Sequence, residues 1–300
     1  FYSIIIKKLK SFINYISFEK RYSKHTITSY TNDLNQFQNF LELQYEIKNL
    51  NNAGHAQIRH WIIDLMESNM DPKSITRKIA TLKSYFKFQL REGLITKNPT
   101  LKIQAPKTKK KLPVFVEEQN MENLLDYFEF DNDFNGLRDR LVIELLYGTG
   151  IRLSELIELE EKSVSVFDKS LKVLGKGNKE RIIPINPNLL ETIKLYKSEK
   201  NIQNFRNNAI QLVVKNDGDK VYPTFIYRLV KKYLGAVTTG DKKSPHVLRH
   251  TFATHSLNKG ADLNAVKELL GHTSLAATQV YTHNSIEKLK EVFKQAHPKA

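Results

Sequence analysis

The segment from Ser244 to His283 concentrates the side chains of this sequence that are best suited to chemistry. It holds five of the nine histidines of the 300-residue chain, together with Arg249 and Tyr281. Imidazoles and guanidinium groups donate hydrogen bonds to anions, and a phenol can act as a nucleophile. In a helix predicted to be capped by Ser244 and to begin at Pro245, His246 lies three residues before Arg249 and four before His250, near the positive N-terminal end. The spacing indicates an anion site.

A metal site is the alternative interpretation of the same residues. His246 and His250 have the i, i+4 spacing of a zinc-binding pair, but the glutamate of zinc hydrolases does not stand between them. Arg249 would repel a cation, and the chain has no cysteine that could supply a thiolate ligand. We therefore predict that the protein binds neither a metal ion nor a cofactor. Taken singly, His250, His255 and His283 are expected to have structural roles.

Positive charge is concentrated in the first third of the chain. Residues 1–112 contain 20 Lys and Arg against 8 Asp and Glu, whereas residues 113–300 contain 27 against 24. A surplus of this size favours a polyanionic partner such as nucleic acid. The alternative is a basic surface that only maintains solubility.

Residues 1–100 show the apolar periodicity of helices. The third predicted helix begins after Asp71 and has an apolar stripe from Ile75 to Phe86. Basic residues recur at helical spacing on its other faces, which indicates either a solvated face or one that contacts the phosphates of a polyanion. The residues predicted to make such phosphate contacts are Lys73, Arg77, Lys83 and Lys87.

Residues 101–113 are predicted to be a basic linker rich in proline and lysine. Their composition breaks helices and leaves little to bury. Lys109 and Lys110 lie in its basic cluster and are predicted to contact a polyanion, although a plain flexible tether is the alternative. The first domain is thus predicted to span residues 1–100 and the second to span 114–300.

The second domain is predicted to combine helices with a small sheet. "GLRDRLVIELLYGTG" and "IRLSELIELE" have helical periodicity, and "KSLKVLGKGNKERIIPI" predicts two strands around a glycine-rich turn. Taken singly, Arg152 could be a structural residue that forms an ion pair with Glu155 or Glu158. A later helix is predicted between an Asp262 cap and Gly271, with Leu263, Val266 and Leu270 facing inward.

Four segments in order make the sequence resemble the tyrosine recombinases, the lambda-integrase-like family, and most closely their Xer-type members. "TGIRLSEL" resembles the first-arginine motif of that family and "GKGNKER" its hairpin-lysine motif. "HVLRHTFATH" resembles the His-x-x-Arg motif, and "LLGHTSLAATQVYTH" resembles the segment with the second histidine and the nucleophilic tyrosine. The resemblance spans nearly the whole chain.

The resemblance implies a fold, a reaction and a catalytic set. The fold is mainly α: an all-helical N-terminal core-binding (SAM-like) domain, and an α+β catalytic domain with a small β-sheet and a C-terminal helix that docks on a neighbouring protomer. The reaction is site-specific cutting and rejoining of DNA through a covalent 3'-phosphotyrosyl intermediate and a Holliday junction, without metal or ATP. The implied catalytic residues are Arg152, Lys176, His246, Arg249, His272 and the nucleophile Tyr281, with Glu155 positioned behind Arg152.

The implied partners are double-stranded DNA, a homo- or hetero-tetramer on two duplexes, a second Xer-type recombinase and a DNA translocase. Resolution of chromosome dimers at cell division is the expected role, and a mobile-element integrase of the same family is the alternative. Two hypotheses differ from a site-specific recombinase altogether. They are a non-catalytic DNA-binding regulator and a relaxing topoisomerase. No apolar run is long enough to span a membrane, and "FYSIIIKKLKSF" lacks the features of a signal peptide, so we predict a cytoplasmic protein.

Overall fold

The computed structural model describes residues 9–107, 114–175, 179–207 and 209–271. The chain divides into two compact units, Phe1–Lys111 and Leu112–Ala300. Each unit has its own hydrophobic core. The predicted fold class, mainly helical with a small sheet, is confirmed. None of the helices in the described ranges is long and apolar enough to span a membrane.

The regular secondary structure of the N-terminal unit is helical in its described residues. Helical residues 9–14 continue into a π-helical turn at Tyr15–Glu19, and a 3-10 turn at Leu50–Asn52 joins the first two long helices. The long helices are α1 (Lys24–Tyr45), α2 (His55–Glu67) and α3 (Pro72–Arg91). Their apolar stripes meet around Trp61 and Phe86, and Ile103 of the predicted linker also packs into this core.

A buried carboxylate joins α1 to α3. Asp33, which is only 1% exposed, accepts hydrogen bonds from Lys78 Nζ (3.0 Å) and Thr81 Oγ1 (2.9 Å) and pairs with Arg77. A buried charge is tolerated only when its partners satisfy it. The network therefore fixes the register of the two helices.

The C-terminal unit combines α-helices with a small sheet. Proline at the first helical turn starts three of them, and glycine in the left-handed conformation ends two. The helices are α4 (Glu118–Glu122), α5 (Phe134–Thr149), α6 (Leu153–Glu158), α7 (Pro187–Ile202), α8 (Pro223–Val237), α9 (Pro245–Asn258) and α10 (Leu263–Leu270). α5 contacts α6, α7, α8 and α9 and is the centre of this core.

The sheet has three antiparallel strands in the order β1-β2-β3. The strands are β1 (Val164–Ser165), β2 (Ser170–Leu174) and β3 (Glu180–Pro184). β2 pairs with β3 from Ser170 opposite Pro184 to Leu174 opposite Glu180, as predicted for a hairpin, and β1 adds a short strand that the sequence did not indicate. β3 contacts α10.

Two local predictions in the C-terminal unit differ from the structure. Leu263 is 50% exposed, and the buried face of α10 is formed by Val266, Leu269 and Leu270. Leu263 is the first residue after the Asp262 cap, so it lies at the open end of the helix. Ser244 occupies the N-cap position of α9, but its side chain makes no capping hydrogen bond.

Candidate active site

Arg152 is held at the start of α6 by Glu155. One oxygen of the Glu155 carboxylate accepts from the backbone N–H of Arg152 (2.8 Å), and the other accepts from Arg152 Nη1 (2.8 Å). The i, i+3 spacing at a helix start allows both contacts at once. The Arg152 side chain remains 28% exposed, so its guanidinium lies at the surface of the unit.

Arg249 lies on α9 and is buried. Its Nη1 donates to the carbonyl oxygen of Gly150 (2.5 Å) and its Nη2 to that of Leu270 (2.6 Å). Burial, and then the positive charge of Arg152, lower the pKa of Arg249 to about 10. The group remains charged at neutral pH, and a bound anion would stabilise this buried charge.

The backbone conformation that directs the carbonyl of residue 150 towards Arg249 requires glycine at this position. Gly150 ends α5 with a φ of +61°, which other residues adopt only at a cost. A Cβ atom there would lie 2.5 Å from Cδ1 of Phe252 and 2.8 Å from Cδ2 of Leu270. The close approach of α5, α9 and α10 therefore requires glycine.

Arg181 is the third arginine of this cluster, and it was not among the residues predicted from the sequence. It lies on β3, is 5% exposed and donates from Nη1 and Nη2 to the two oxygens of Glu155, both at 2.8 Å. Its Nε donates to the carbonyl oxygen of Leu269 (2.7 Å). The sequence did contain a signal that could have indicated Arg181. It is a charged residue two positions before Ile183, and alternate residues of a strand share one face, which here is the buried face.

The three arginines meet at the C-terminal end of α10. The carbonyl of Leu269 accepts from Arg181, that of Leu270 from Arg249, and that of Gly271 from Arg152 Nη2 (2.9 Å). The last carbonyls of a helix have no partners within the helix and carry its partial negative charge. Guanidinium groups satisfy them here.

Glu155 is the carboxylate shared by this cluster. Burial would raise its pKa, but the hydrogen bonds from Arg181 and Arg152 outweigh burial and lower the pKa to about 2. One carboxylate therefore compensates only part of the charge of three guanidinium groups. The positive charge that remains is suited to binding an anion. In the described part of the chain, no group of three His, Asp or Glu side chains is arranged to hold a metal ion.

The histidines of α9 differ in position. His246 is exposed one helical turn before Arg249, on the same side of the helix. His250 is also exposed, and its pKa is lowered by partial burial and by the nearby His246 and Arg249. His255 is buried, its Nδ1 lies 2.9 Å from the Tyr147 hydroxyl, and burial lowers its pKa. This environment agrees with the structural role expected for it.

Several predicted residues lie outside the described ranges. Lys176, His272, Tyr281, Lys109 and Lys110 are among them. The same holds for His283 and for the predicted C-terminal docking helix. Their predicted roles stay predictions.

The predicted DNA-binding face of α3 is basic and exposed. Lys73, Lys83 and Lys87 are exposed, whereas Arg77 is partly engaged by Asp33 and by the Ser29 hydroxyl (2.5 Å). Arg77 therefore also links α3 to α1.

Comparison with known proteins identifies the family. The "Phage integrase family" model matches residues 114–288, and the "Phage integrase, N-terminal SAM-like domain" model matches residues 9–93. "Tyrosine recombinase XerC" of Chlorobaculum parvum is 37% identical over 97% of this chain and 94% of its own length. "Tyrosine recombinase XerD" of Staphylococcus haemolyticus is 36% identical over 97% of this chain and 99% of its own length.

Solved structures share the fold. The XerH site-specific recombinase bound to palindromic difH substrate, in a post-cleavage complex, has a TM-score of 0.70 at 22% identity, covering 88% of this chain and 78% of that one. The Tn1549 transposon integrase in complex with transposon right end DNA also has a TM-score of 0.70, at 19% identity, covering 95% of this chain and 98% of that one. The match over residues 114–288 and the similarity to Xer recombinases along nearly the full length show that the chain belongs to the phage integrase family, the tyrosine recombinases.

Proposed function

We propose that the protein cuts and rejoins DNA strands at a specific site through a covalent 3'-phosphotyrosyl intermediate on Tyr281. The observation that carries the proposal is the convergence of Arg152 and Arg249, which are far apart in sequence, on the end of α10. His272, which the family resemblance assigns to the same site, is the second residue after Leu270, the last residue of α10.

Arg152 and Arg249 are suited to hold the scissile phosphate. A guanidinium group has five N–H donors, and the contacts within the described residues use two from each arginine. The remaining donors can bind non-bridging oxygens of a diester, whose negative charge increases in the transition state. His246 and His272 would add hydrogen bonds to the same phosphate.

In the proposed cleavage step, the Tyr281 oxygen attacks phosphorus and loses its proton to an acceptor. The bond between phosphorus and the 5'-oxygen breaks, and Lys176 donates a proton so that this oxygen leaves as a hydroxyl. In the rejoining step, the 5'-hydroxyl of another strand attacks the phosphotyrosine and releases the phenol. The bonds to phosphorus broken and formed are equal in number, so no ATP is required, and the cationic side chains would stabilise the charge that a metal ion stabilises in other phosphoryl-transfer enzymes.

Trapping the covalent intermediate tests this proposal. A suicide DNA substrate that loses its 5'-hydroxyl fragment after cleavage should accumulate a protein–DNA adduct on a denaturing gel. Tyr281→Phe should bind the same DNA without forming the adduct. A wild-type protein that binds its site and forms no adduct would identify a non-catalytic DNA-binding protein, and release of supercoils without partner exchange would identify a topoisomerase.

We further propose that the exposed lysines of α3 and the linker residues Lys109 and Lys110 hold the DNA backbone, with Arg77 at the edge of this surface. The cellular role proposed is resolution of chromosome dimers in the cytoplasm, since the curated relatives at 36–37% identity are named XerC and XerD. Sequencing of genomic DNA trapped as tyrosyl adducts would distinguish a chromosomal target from the ends of a mobile element.

The active assembly is proposed to be a tetramer on two duplexes, formed with a second recombinase or with copies of this chain and activated by a DNA translocase. Removal of the residues after Asn284, followed by analytical ultracentrifugation of the DNA complex, tests the role of the C-terminal segment. An unchanged assembly would contradict docking through that segment.

A further inference from the structure

Arg181 connects three parts of the candidate site. It lies on β3, five residues after Lys176 in the sequence, and its side chain reaches both Glu155 on α6 and the carbonyl of Leu269 on α10. All three nitrogen positions of its guanidinium donate to these acceptors. Arg181 is buried, with 5% of the residue exposed, and its guanidinium faces Glu155 and the Leu269 carbonyl.

The Glu155 carboxylate that holds Arg152 is itself held by Arg181. Oε1 of Glu155 accepts from Nη1 of Arg152 and from Nη1 of Arg181. Oε2 accepts from the backbone N–H of Arg152 and from Nη2 of Arg181. Without Arg181, the carboxylate would lose the two donors that face it from β3, so it could rotate together with Arg152.

Arg181 also packs against the backbone that leads to His272. Gly271 has a φ of +63°, and a Cβ atom there would lie 3.3 Å from Cδ and from Nη1 of Arg181. The guanidinium thus lies against residue 271 and binds the carbonyl two residues earlier. Movement of Arg181 would change the end of α10, where Arg249 and Arg152 also bind.

We propose that Arg181 is a positioning residue of the recombination reaction, acting through Glu155 and the end of α10 to orient Arg152 and the segment that leads to His272. The inference rests on the proposed function and adds a residue to it. Lysine could not replace Arg181, because one ammonium group cannot hold both carboxylate oxygens and the Leu269 carbonyl in this geometry.

The test compares Arg181→Met and Arg181→Lys with Arg138→Met. Arg138 is a matched control: it is also 5% exposed and also binds a carboxylate, that of Asp139, but it lies at the opposite end of α5 from Gly150. Three quantities are measured for each variant: the thermal unfolding midpoint, the Kd for the DNA site, and the rate of covalent adduct formation at saturating DNA.

Both Arg181 variants should form the adduct at least about 100-fold more slowly, with the Kd for DNA unchanged, because misplacement of a transition-state donor costs about this factor. Arg138→Met should lower the unfolding midpoint without slowing adduct formation by the folded protein. An Arg181 variant that is destabilised like Arg138→Met but cleaves at the wild-type rate would overturn the proposal.

Guanidinium rescue separates positioning from general destabilisation. In Arg181→Ala, added guanidinium ion should enter the vacated space and restore part of the adduct rate, whereas it should not speed Arg138→Ala. A second check is a double-variant cycle with Glu155→Gln. Because both side chains act through the same carboxylate, their effects on the rate should be far from additive.

Additive rate effects, or an equal response of both alanine variants to guanidinium, would refute positioning through Glu155. The wild-type protein distinguishes this result from failure of the proposed function. If wild type forms no adduct, the proposed function fails, whereas a normal wild-type adduct with unaffected Arg181 variants rejects only the role of Arg181.

Discussion

Replacement of Glu155 by glutamine should make the C-terminal unit less stable at neutral pH, and the loss should disappear in acid. The pKa of the Glu155 carboxyl is lowered from 4.5 to about 2, despite burial, by hydrogen bonds from Arg181 and Arg152. At about 1.4 kcal/mol for each pKa unit, this difference corresponds to about 3 kcal/mol of stability. Glu155 is 5% exposed, so solvent screens the interaction weakly.

The sign follows from proton binding. The unfolded chain binds a proton at Glu155 near pH 4.5 and the folded chain only near pH 2, so the carboxylate stabilises the fold above pH 4.5. As the pH falls from 4.5 towards 2, the wild type loses this contribution. Glu155→Gln has no carboxyl to titrate, so the free energies of unfolding of the two proteins should converge over that interval.

Urea unfolding at a series of pH values measures the difference. Circular dichroism follows both units, whereas the only tryptophan, Trp61, lies in the core of the N-terminal unit and reports on that unit. The Trp61 transition is the internal control and should be the same in both proteins. A constant difference between wild type and Glu155→Gln from neutral pH down to pH 2 would refute the argument that the arginines stabilise the charged carboxylate.

Three further predictions concern the backbone, the phosphate site and the DNA surface. Gly150→Ala should cost about 3 kcal/mol, since its Cβ would overlap Phe252 and Leu270 at a positive φ; urea unfolding measures it. Arg249→Lys should slow covalent adduct formation about 100-fold, because an ammonium group cannot hold two carbonyls and a phosphate together; gel assays at saturating DNA measure it. Lys87→Gln should weaken DNA binding and reduce the slope of log Kd against log salt by about 1, as measured by fluorescence anisotropy.

Each of these predictions has a control on the same chain. Gly235 is an exposed helical glycine, and a Cβ atom added to it would meet no atom within 4 Å, so Gly235→Ala should be neutral or stabilising. Arg140 is an exposed arginine that pairs with Glu144, and the Arg140→Lys protein should cleave normally. Lys194→Gln, at an exposed position of α7, should leave the salt slope unchanged; equal slopes for Lys87→Gln and wild type would contradict the phosphate contact.

Periodicity predicted the helices because apolar stripes record which face is buried. The stripe from Ile75 to Phe86 faces the N-terminal core as expected. The prediction that Leu263 faces inward was wrong. Periodicity does not show where a helix begins relative to the core, and a residue at the first position can face solvent. β1 has two residues, which is too short for an alternating pattern.

Only those contacts of the candidate site that depend on spacing along one element could be predicted from the sequence. The contact between Arg152 and Glu155 follows from spacing along one helix start. Arg181 meets Glu155 across 26 positions, and only tertiary packing brings them together. The carbonyls that bind Arg249 carry no sequence signature, because every residue has one.

The hydrogen bonds from the three arginines to the end of α10 reduce the entropy that is lost when DNA binds. A free arginine side chain has about 2 kcal/mol of rotamer entropy, which is lost when its guanidinium is fixed. Here the fixing happens during folding, against neutral carbonyls and the single carboxylate of Glu155, so most of the positive charge remains uncompensated. An arriving diester therefore meets donors that are already ordered, so most of the binding free energy can be directed to the transition state.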